Sequence, residues 1–542
     1  GLKSNYGLWD DISEASQQRE NQKNSEFLTK ALSIQSDALE PSLALSLKVL
    51  TYQLKQNQQH YKFRYHNYPV NQLFGLHTEI AQFLVNIHKV DTISDAKDYI
   101  QRVTNISTLI NQLIEQLKIR EEKGIRPPKF VYDSVIQASQ QLLSGYPLNK
   151  TDKQQHILWT DFLSKIAPLE LYGTSEKVLR DKLKRSLKRS FKPAYQKLIA
   201  HLKKSQLKAS SETGFHQFES GNEFYELRLR EVTTTDINAQ QIHQLGLSEI
   251  ADIKLQITKL LPQLGESNIE DLFTKTRQDK NLYFANGQQA IDQTKGYIKR
   301  INGNLHKAFK GIPDTAMEVS AVESFRENSS PVAFYQSPSD DGSRPGKYYM
   351  NLSKLDEMPA FEFEALAYHE TIPGHHLQII YALTNEKLPD FRRHGHFTAY
   401  SEGWGLYAER LAKELGGYQE PWNEYGRLLM ELWRANRLVI DTGLHHFGWD
   451  LEKALAFRLA NTPFSKEDSI NAIQRYLVMP AQATAYKIGQ LKFLELRQLA
   501  EKTLGANFSL REYHQFILEL GPLPLKILEE QVIQWLKDQS NT

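Results

Sequence analysis

The 542 residues include no cysteine. Disulfides and thiolate metal sites are therefore excluded, and any metal must be held by histidines and carboxylates. Charge of one sign is not in excess either: 66 Lys and Arg stand against 64 Asp and Glu, a formal net charge of +2. Such a balance gives no general attraction to nucleic acid or to an anionic membrane, so no nucleic-acid partner is expected. No uninterrupted apolar stretch reaches the roughly 18–20 residues of a membrane span, so no transmembrane span is expected. The chain opens Gly1-Leu2-Lys3 without a methionine, and a cleaved leader or a trimmed start is the expectation. Helix breakers are sparse.

What is present is helical periodicity. Apolar residues at 40% and charged residues at 24% are ordinary for a globular protein, and the length allows one large domain or two closely packed ones. Leu179, Leu183 and Leu187 recur every fourth residue with Lys and Arg between them, as on an amphipathic helix. Similar patterns cover much of residues 10–120 and 130–208. The basic run from Lys177 to Lys208 shows no known nucleic-acid-binding motif and reads as a solvated helix face. Breaks fall at Pro127-Pro128, at Ser144 to Pro147 and at Ala209 to Gly214. A soft boundary near 212 divides a helical N-terminal region (1–212), expected to wall a cleft, from a catalytic region (213–542). One continuous domain is the alternative. Val332 to Tyr335 and Lys347 to Leu352 are β-prone, joined by the polar loop Ser337 to Gly346. Two short strands are expected there, with an edge placed to pair with an extended peptide.

The chemistry concentrates just after these strands. Phe361 to Tyr381 reads FEFEALAYHETIPGHHLQIIY. A helix carrying two His four residues apart, with Glu beside the first, presents both imidazoles to one metal and a general base to its water. Here Pro373 occupies the fourth position after His369, and His375 arrives two residues late. Proline cannot donate back to the carbonyl of His369, and Gly374 tolerates the unusual dihedrals next to it, so a two-residue bulge would return His375 to the required face. His376 is the rival ligand. On a straight helix it would share the face of His369 but lie about 10.5 Å along the axis, too far for a shared bond of about 2.1 Å. A third ligand must be a carboxylate. Glu402, in the helical segment AYSEGWGLYAERL, is the candidate, although a lone helical Glu is most often surface charge. Glu409 lies two turns on, suited to orient a ligand imidazole or to replace Glu402. Two imidazoles, one carboxylate and an open position favour Zn²⁺, one ion per chain.

HETIPGHHLQ and AYSEGWGLYAERL, together with SPSDDGSRPGKYYMNL, DTGLHHFGW and PAQATAYKIGQL, resemble the bacterial family known as domain of unknown function 885. The resemblance covers nearly the whole chain, most specifically between Ser337 and Gln490. It implies a zinc-peptidase-like protein, and since many members are lipoproteins or carry secretion signals, it also implies a periplasmic or cell-envelope location with a lipid anchor lost with the leader. More distantly the layout is similar to helical gluzincin peptidases such as carboxypeptidase Taq and the oligopeptidases, and dipeptidyl peptidase III has a lengthened motif that still binds zinc. Ala481 stands where the family commonly has Gly, a departure of little expected consequence.

The expectation is therefore a mainly α, gluzincin-like metallopeptidase fold with a small β-sheet beside the metal. Zn²⁺ on His369, His375 and Glu402 would serve the hydrolysis of peptide bonds by a metal-activated water, with Glu370 as general base. The family motif implies His445, four residues after Asp441 and oriented by it, as an oxyanion donor, where a local surface pair is the plain alternative. Tyr486 is the second oxyanion candidate, or else a packed core tyrosine. Tyr348, Asn351, Arg344 and Arg475 are the candidate contacts to a peptide substrate, and Lys487 also offers a cation to a substrate carboxylate. Two readings compete with the peptidase: a catalytically silent peptide-binding envelope lipoprotein, and a zinc hydrolase of another amide or ester.

Overall fold

The computed structural model describes residues 3–540 except 172–173, 212, 314, 324–326, 328–329 and 340–343. The chain divides into two units. The first comprises Gly1–Lys30, Asn57–Thr213 and Gln217–Glu219, and the second Ala31–Gln56, Gly214–His216 and Ser220–Thr542. Relative to a single boundary near 212, residues Ala31–Gln56 group with the second unit and Gln217–Glu219 with the first.

The first unit is helical. Helix α1 (Ile93–Glu122) begins at a capping box in which Thr92 accepts from the Asp95 amide and Asp95 accepts from the Thr92 amide. Its apolar stripe, including Val103, Ile106 and Ile110, is buried against α3 (Lys192–Gln206), which also packs on α2 (Lys129–Gln141). Leu179, Leu183 and Leu187 are all buried, while Lys177, Lys182 and Arg185 face solvent, as the four-residue spacing requires.

In the second unit, α4 (Ala239–Leu264) starts at an Asn238–Gln241 capping box. A three-stranded sheet comes next, with β1 (Met317–Ala321), β2 (Ala333–Gln336) and β3 (Gly346–Met350) in the order β1-β3-β2. β2 and β3 pair antiparallel, as the two β-prone segments indicated. β1 joins β3 in parallel and was not expected, because MEVSA is short and shows no clean alternation. Residues 340–343 of the turn between β2 and β3 lie outside the described residues.

The helices that carry the candidate site lie beyond the sheet in sequence: α5 (Phe363–Glu370), α6 (His375–Leu383), α7 (Thr398–Glu414), α8 (Pro421–His445), α9 (Lys466–Val478) and α10 (Ala485–Leu504). Pro421 opens α8 where its missing amide hydrogen costs nothing. α4 lies along α8, and α7 along α10. The α7–α10 contact brings backbone against backbone, since a Cβ on Gly403 would stand 2.4 Å from Cα of Gly489. That closeness fixes the turn of α7 bearing Glu402. Among the described residues no helix is long and apolar enough to cross a membrane.

Candidate metal centre

Helix α5 stops at Glu370. Thr371 (φ −112°, ψ −115°) and Gly374 (φ −83°, ψ −131°) leave helical space, the Ile372–Pro373 peptide is cis, and α6 restarts at His375. The expected two-residue bulge is thus a complete break between two helices. Gly374 is required there, because a Cβ would lie 1.9 Å from the carbonyl oxygen of His369. Indole Nε1 of buried Trp404 donates to the Pro373 carbonyl at 2.9 Å and ties the break to α7.

The break brings three side chains to one point. Nε2 of His369 is 3.3 Å from Oε2 of Glu402, and Nε2 of His375 is 3.5 Å from the same oxygen. The two imidazoles stand 4.6 Å apart, nearly perpendicular at 87°. Donors bound tetrahedrally at about 2.0–2.1 Å are separated by about 3.4 Å, the edge of such a tetrahedron. Both distances match it. Ligand atoms of His369, Glu370 and His375 also lie within 4.8 Å of one another. Glu370 is the poorer third ligand, because its Oε2 accepts the Tyr335 amide of β2 at 3.1 Å while Glu402 Oε2 faces both ring nitrogens. Gly405 makes the geometry feasible: a Cβ there would stand 2.5 Å from Cε1 of His369.

Behind the ligands, Nδ1 of His369 is 2.7 Å from Oε1 of Glu409, which also lies 3.6 Å from Arg434. Burial disfavours the charged His369 ring, but hydrogen bonds to Glu402 and Glu409 outweigh it and push the imidazole up to about 9. Burial likewise opposes the charge of Glu402. The two imidazoles prevail and hold this carboxylate well below its usual range. At Glu370 burial wins and raises the carboxyl.

A cavity of about 350 Å³ opens in front of Glu370, His375 and Glu402, bordered by Tyr335, Gln378 and His396. His396 was missed in the sequence. It lies in the run His394-Gly395-His396 just ahead of α7, and burial lowers its pKa while Glu402 opposes. Arg437, buried on α8, was missed as well, and helical spacing gave no signal for it.

Other expected residues take different places. His376 turns to the sheet, where its Nδ1 meets the Tyr335 hydroxyl at 2.7 Å, so His375 is the histidine beside Glu402. His445 is not an oxyanion donor. It is fully buried, its Nδ1 accepts from the Phe215 amide at 3.2 Å, and its Nε2 therefore donates to the Tyr476 carbonyl at 2.9 Å. Asp441 does not orient it; Oδ1 accepts from the Tyr225 hydroxyl at 2.6 Å and from the Ala481 amide at 2.9 Å. That second bond holds Ala481 at φ 69°, left-handed backbone that costs a non-glycine residue about 1–2 kcal/mol, so the departure from Gly has a consequence after all. Asn351 is fully buried, donating to the carbonyls of Glu327 and Ser330, and does not reach a substrate. Lys487 is buried between Glu431 (2.7 Å) and Glu249 (2.8 Å), so it is not free for one. Tyr348 is fully buried, its unpartnered hydroxyl near enough to feel the charge of Glu370, and it lines no open surface. Arg344 hydrogen-bonds through its backbone with Ser339 at the mouth of the strand loop. Tyr486 remains beside the centre, its phenol raised first by burial and then by the charge of Glu402. Arg475 neighbours it and gives one hydrogen bond to Gln482.

Fold and cluster together define a mainly helical protein with a partly buried His–His–carboxylate cluster. The chain belongs to the DUF885 family of bacterial proteins of unknown function, whose family model matches residues 1–532. It is similar to the crystal structure of a candidate lipoprotein from Colwellia psychrerythraea, with TM-score 0.89 and 27% identity, over 98% of this chain and 93% of that one. A candidate lipoprotein of unknown function from Shewanella oneidensis shares the fold at TM-score 0.75 and 16% identity, over 98% of this chain and 95% of that one. Among curated proteins no match is found.

Proposed function

We propose that this chain is a zinc-dependent, gluzincin-like metallopeptidase. The carrying observation is the placement of Glu402 Oε2 at 3.3 and 3.5 Å from two imidazole nitrogens, the edge lengths of a tetrahedral site. The donor set fits zinc: two imidazoles and a carboxylate in a chain with no cysteine. When bound, the ion would polarise a carbonyl and acidify a water.

The protein's own groups do the rest. His369, His375 and Glu402 hold the ion, and Glu409 orients His369. Glu370, raised by burial and positioned by the Tyr335 amide, takes a proton from water and passes it to the leaving amine. β2 is an edge strand beside Glu370, suited to align an extended peptide by main-chain hydrogen bonds. Tyr486, within electrostatic reach of Glu402, is the hydroxyl we assign to the developing oxyanion. The similarity to candidate lipoproteins supports a place in the bacterial envelope.

Glu370→Gln tests this reading. The variant should keep about one zinc per chain and lose about 10²–10⁴-fold in the cleavage of a peptide library followed by mass spectrometry. Wild-type protein that holds zinc and binds peptides yet cuts none would overturn hydrolysis in favour of a silent peptide-binding lipoprotein. Cleavage confined to other amides or esters would reassign the substrate.

A further inference from the structure

Helix α8 is rich in buried cations, and the chain neutralises nearly all of them. Arg427 lies 2.8 Å from both Glu424 and Glu431. Arg434 has Glu409 at 3.6 Å. Arg437 is different. It is 4% exposed, no ion pair reaches it among the described residues, and its Nε and Nη1 make no hydrogen bond. A guanidinium taken out of water without an ion pair leaves its charge to be balanced only by the more distant Glu402.

Its surroundings hold it without using its donors. The guanidinium carbon lies 4.4 Å from the ring of Trp433 and 4.4 Å from the ring of Tyr486, so aromatic rings occupy its surroundings while Nε and Nη1 stay unspent. The Tyr476 hydroxyl is buried beside it, close enough to act on its charge. Arg475, half-buried and near Tyr486, gives a single hydrogen bond, from Nη2 to Gln482 at 3.1 Å. The same Tyr486 lies within electrostatic reach of Glu402, so this group of donors adjoins the candidate metal centre.

We infer that Arg437, with Arg475 and the Tyr476 hydroxyl, forms a subsite for the free C-terminal carboxylate of a peptide, and that the protein acts at C-terminal ends. A planar guanidinium with its in-plane donors unspent matches a carboxylate, which takes two parallel N–H bonds. Identifying that anion as a peptide terminus rests on the peptidase reading above. Neutral Tyr476 adds a donor without adding charge, and the second guanidinium of Arg475 raises the preference for an anion over a neutral amide.

The test is calorimetric binding of N-acetyl-tetraalanine, as free acid and as C-terminal amide, to the Glu370→Gln protein, in which bound peptide persists. The acid should bind at least about tenfold more tightly, the gain of one charge-assisted fork over a neutral contact. In Arg475→Gln this ratio should shrink, and in Arg437→Gln it should approach one. Arg437→Lys, which keeps the charge and loses the fork, should fall between; circular dichroism establishes that each variant is folded. Equal binding of acid and amide overturns the subsite, as does a ratio unchanged in the folded Arg437 and Arg475 variants. Preference for the acid without any cleavage by wild type supports the subsite and overturns hydrolysis. Internal cleavage of amidated peptides at the rate of free acids overturns the subsite and leaves the peptidase reading in place.

Discussion

His369 and Glu409 are joined by a 2.7 Å hydrogen bond deep in the second unit, both side chains 3% exposed. The carboxylate accepts the proton on Nδ1, which points Nε2 toward Glu402 and fixes the ring before any metal arrives. Glu409→Gln keeps the shape but weakens the acceptor, so zinc affinity should fall about 10–100-fold. Glu402→Gln removes a ligand and should abolish binding. Competition with a chromophoric chelator separates the two. Equal losses would mean that Glu409 is itself a ligand.

Zinc uptake should release a proton. In the metal-free protein the His369 imidazole is pushed up to about 9, whereas a ligand imidazole must be neutral. Affinity should therefore rise about tenfold per pH unit between about 6.5 and 9. The same protonation stabilises the metal-free fold below about 6.5, a contribution lost as pH rises through about 9. Calorimetry in two buffers of different ionisation enthalpy counts the protons, and zinc binding at neutral pH with none released would show that the imidazole is already neutral.

The neighbouring histidines should differ sharply. His375→Ala removes the ring 3.5 Å from Glu402 and should strip the metal, whereas His376→Ala removes only a partner of Tyr335 and should leave it bound. Metal content of the two purified variants decides the matter; the reverse pattern would reassign the ligand.

These contrasts mark what the sequence made legible. The grouping of His369, His375 and Glu402 could be read from residue chemistry and spacing. His375 over His376 also followed from proline and glycine chemistry, although the bulge inferred from Pro373 is in fact a full helix break. His445 and Asp441 misled. They share a helix face as expected, but a shared face does not say what lies opposite it, and here that is the Phe215 amide, the Tyr476 carbonyl and Tyr225. Arg437 gave no signal, because an arginine among three on one helix declares itself only when its partners are found missing. β1 was illegible for a related reason: five residues lacking alternation are recognised as a strand by their pairing with β3.

A methyl group at position 405 should be costly. Its Cβ would stand 2.5 Å from Cε1 and 2.7 Å from Nε2 of His369, a ring that Glu409 prevents from swinging aside. Gly405→Ala should lose about 1–3 kcal/mol of stability despite alanine's better helix propensity. Zinc affinity should fall with it, because the displaced ring is a ligand. Denaturant midpoint and zinc titration on one sample check both. A variant more stable than wild type, with unchanged affinity, would mean that α7 and the His369 ring are not in contact.

Asp441 should govern how stability depends on pH near neutrality. Its carboxyl is fully buried and pushed up to about 7, burial outweighing the hydrogen bonds from Tyr225 and Ala481. A folded pKa raised above the unfolded value of about 3.9 favours the fold while the group is protonated, and that advantage is lost as pH rises from about 4 through about 7. The full difference is on the order of 4 kcal/mol. Asp441→Asn offers the same oxygen to the Tyr225 hydroxyl and the Ala481 amide, and it does not ionise. The variant should therefore gain stability relative to wild type with increasing pH, most steeply between about 5 and 7. Urea midpoints of both proteins from pH 4.5 to 8.5 provide the comparison. Titration of His369 is common to both and cancels in the difference. A difference that stays flat across this range would show that Asp441 is ionised throughout, and its unpartnered Oδ2 would then need a cationic neighbour to hold the charge.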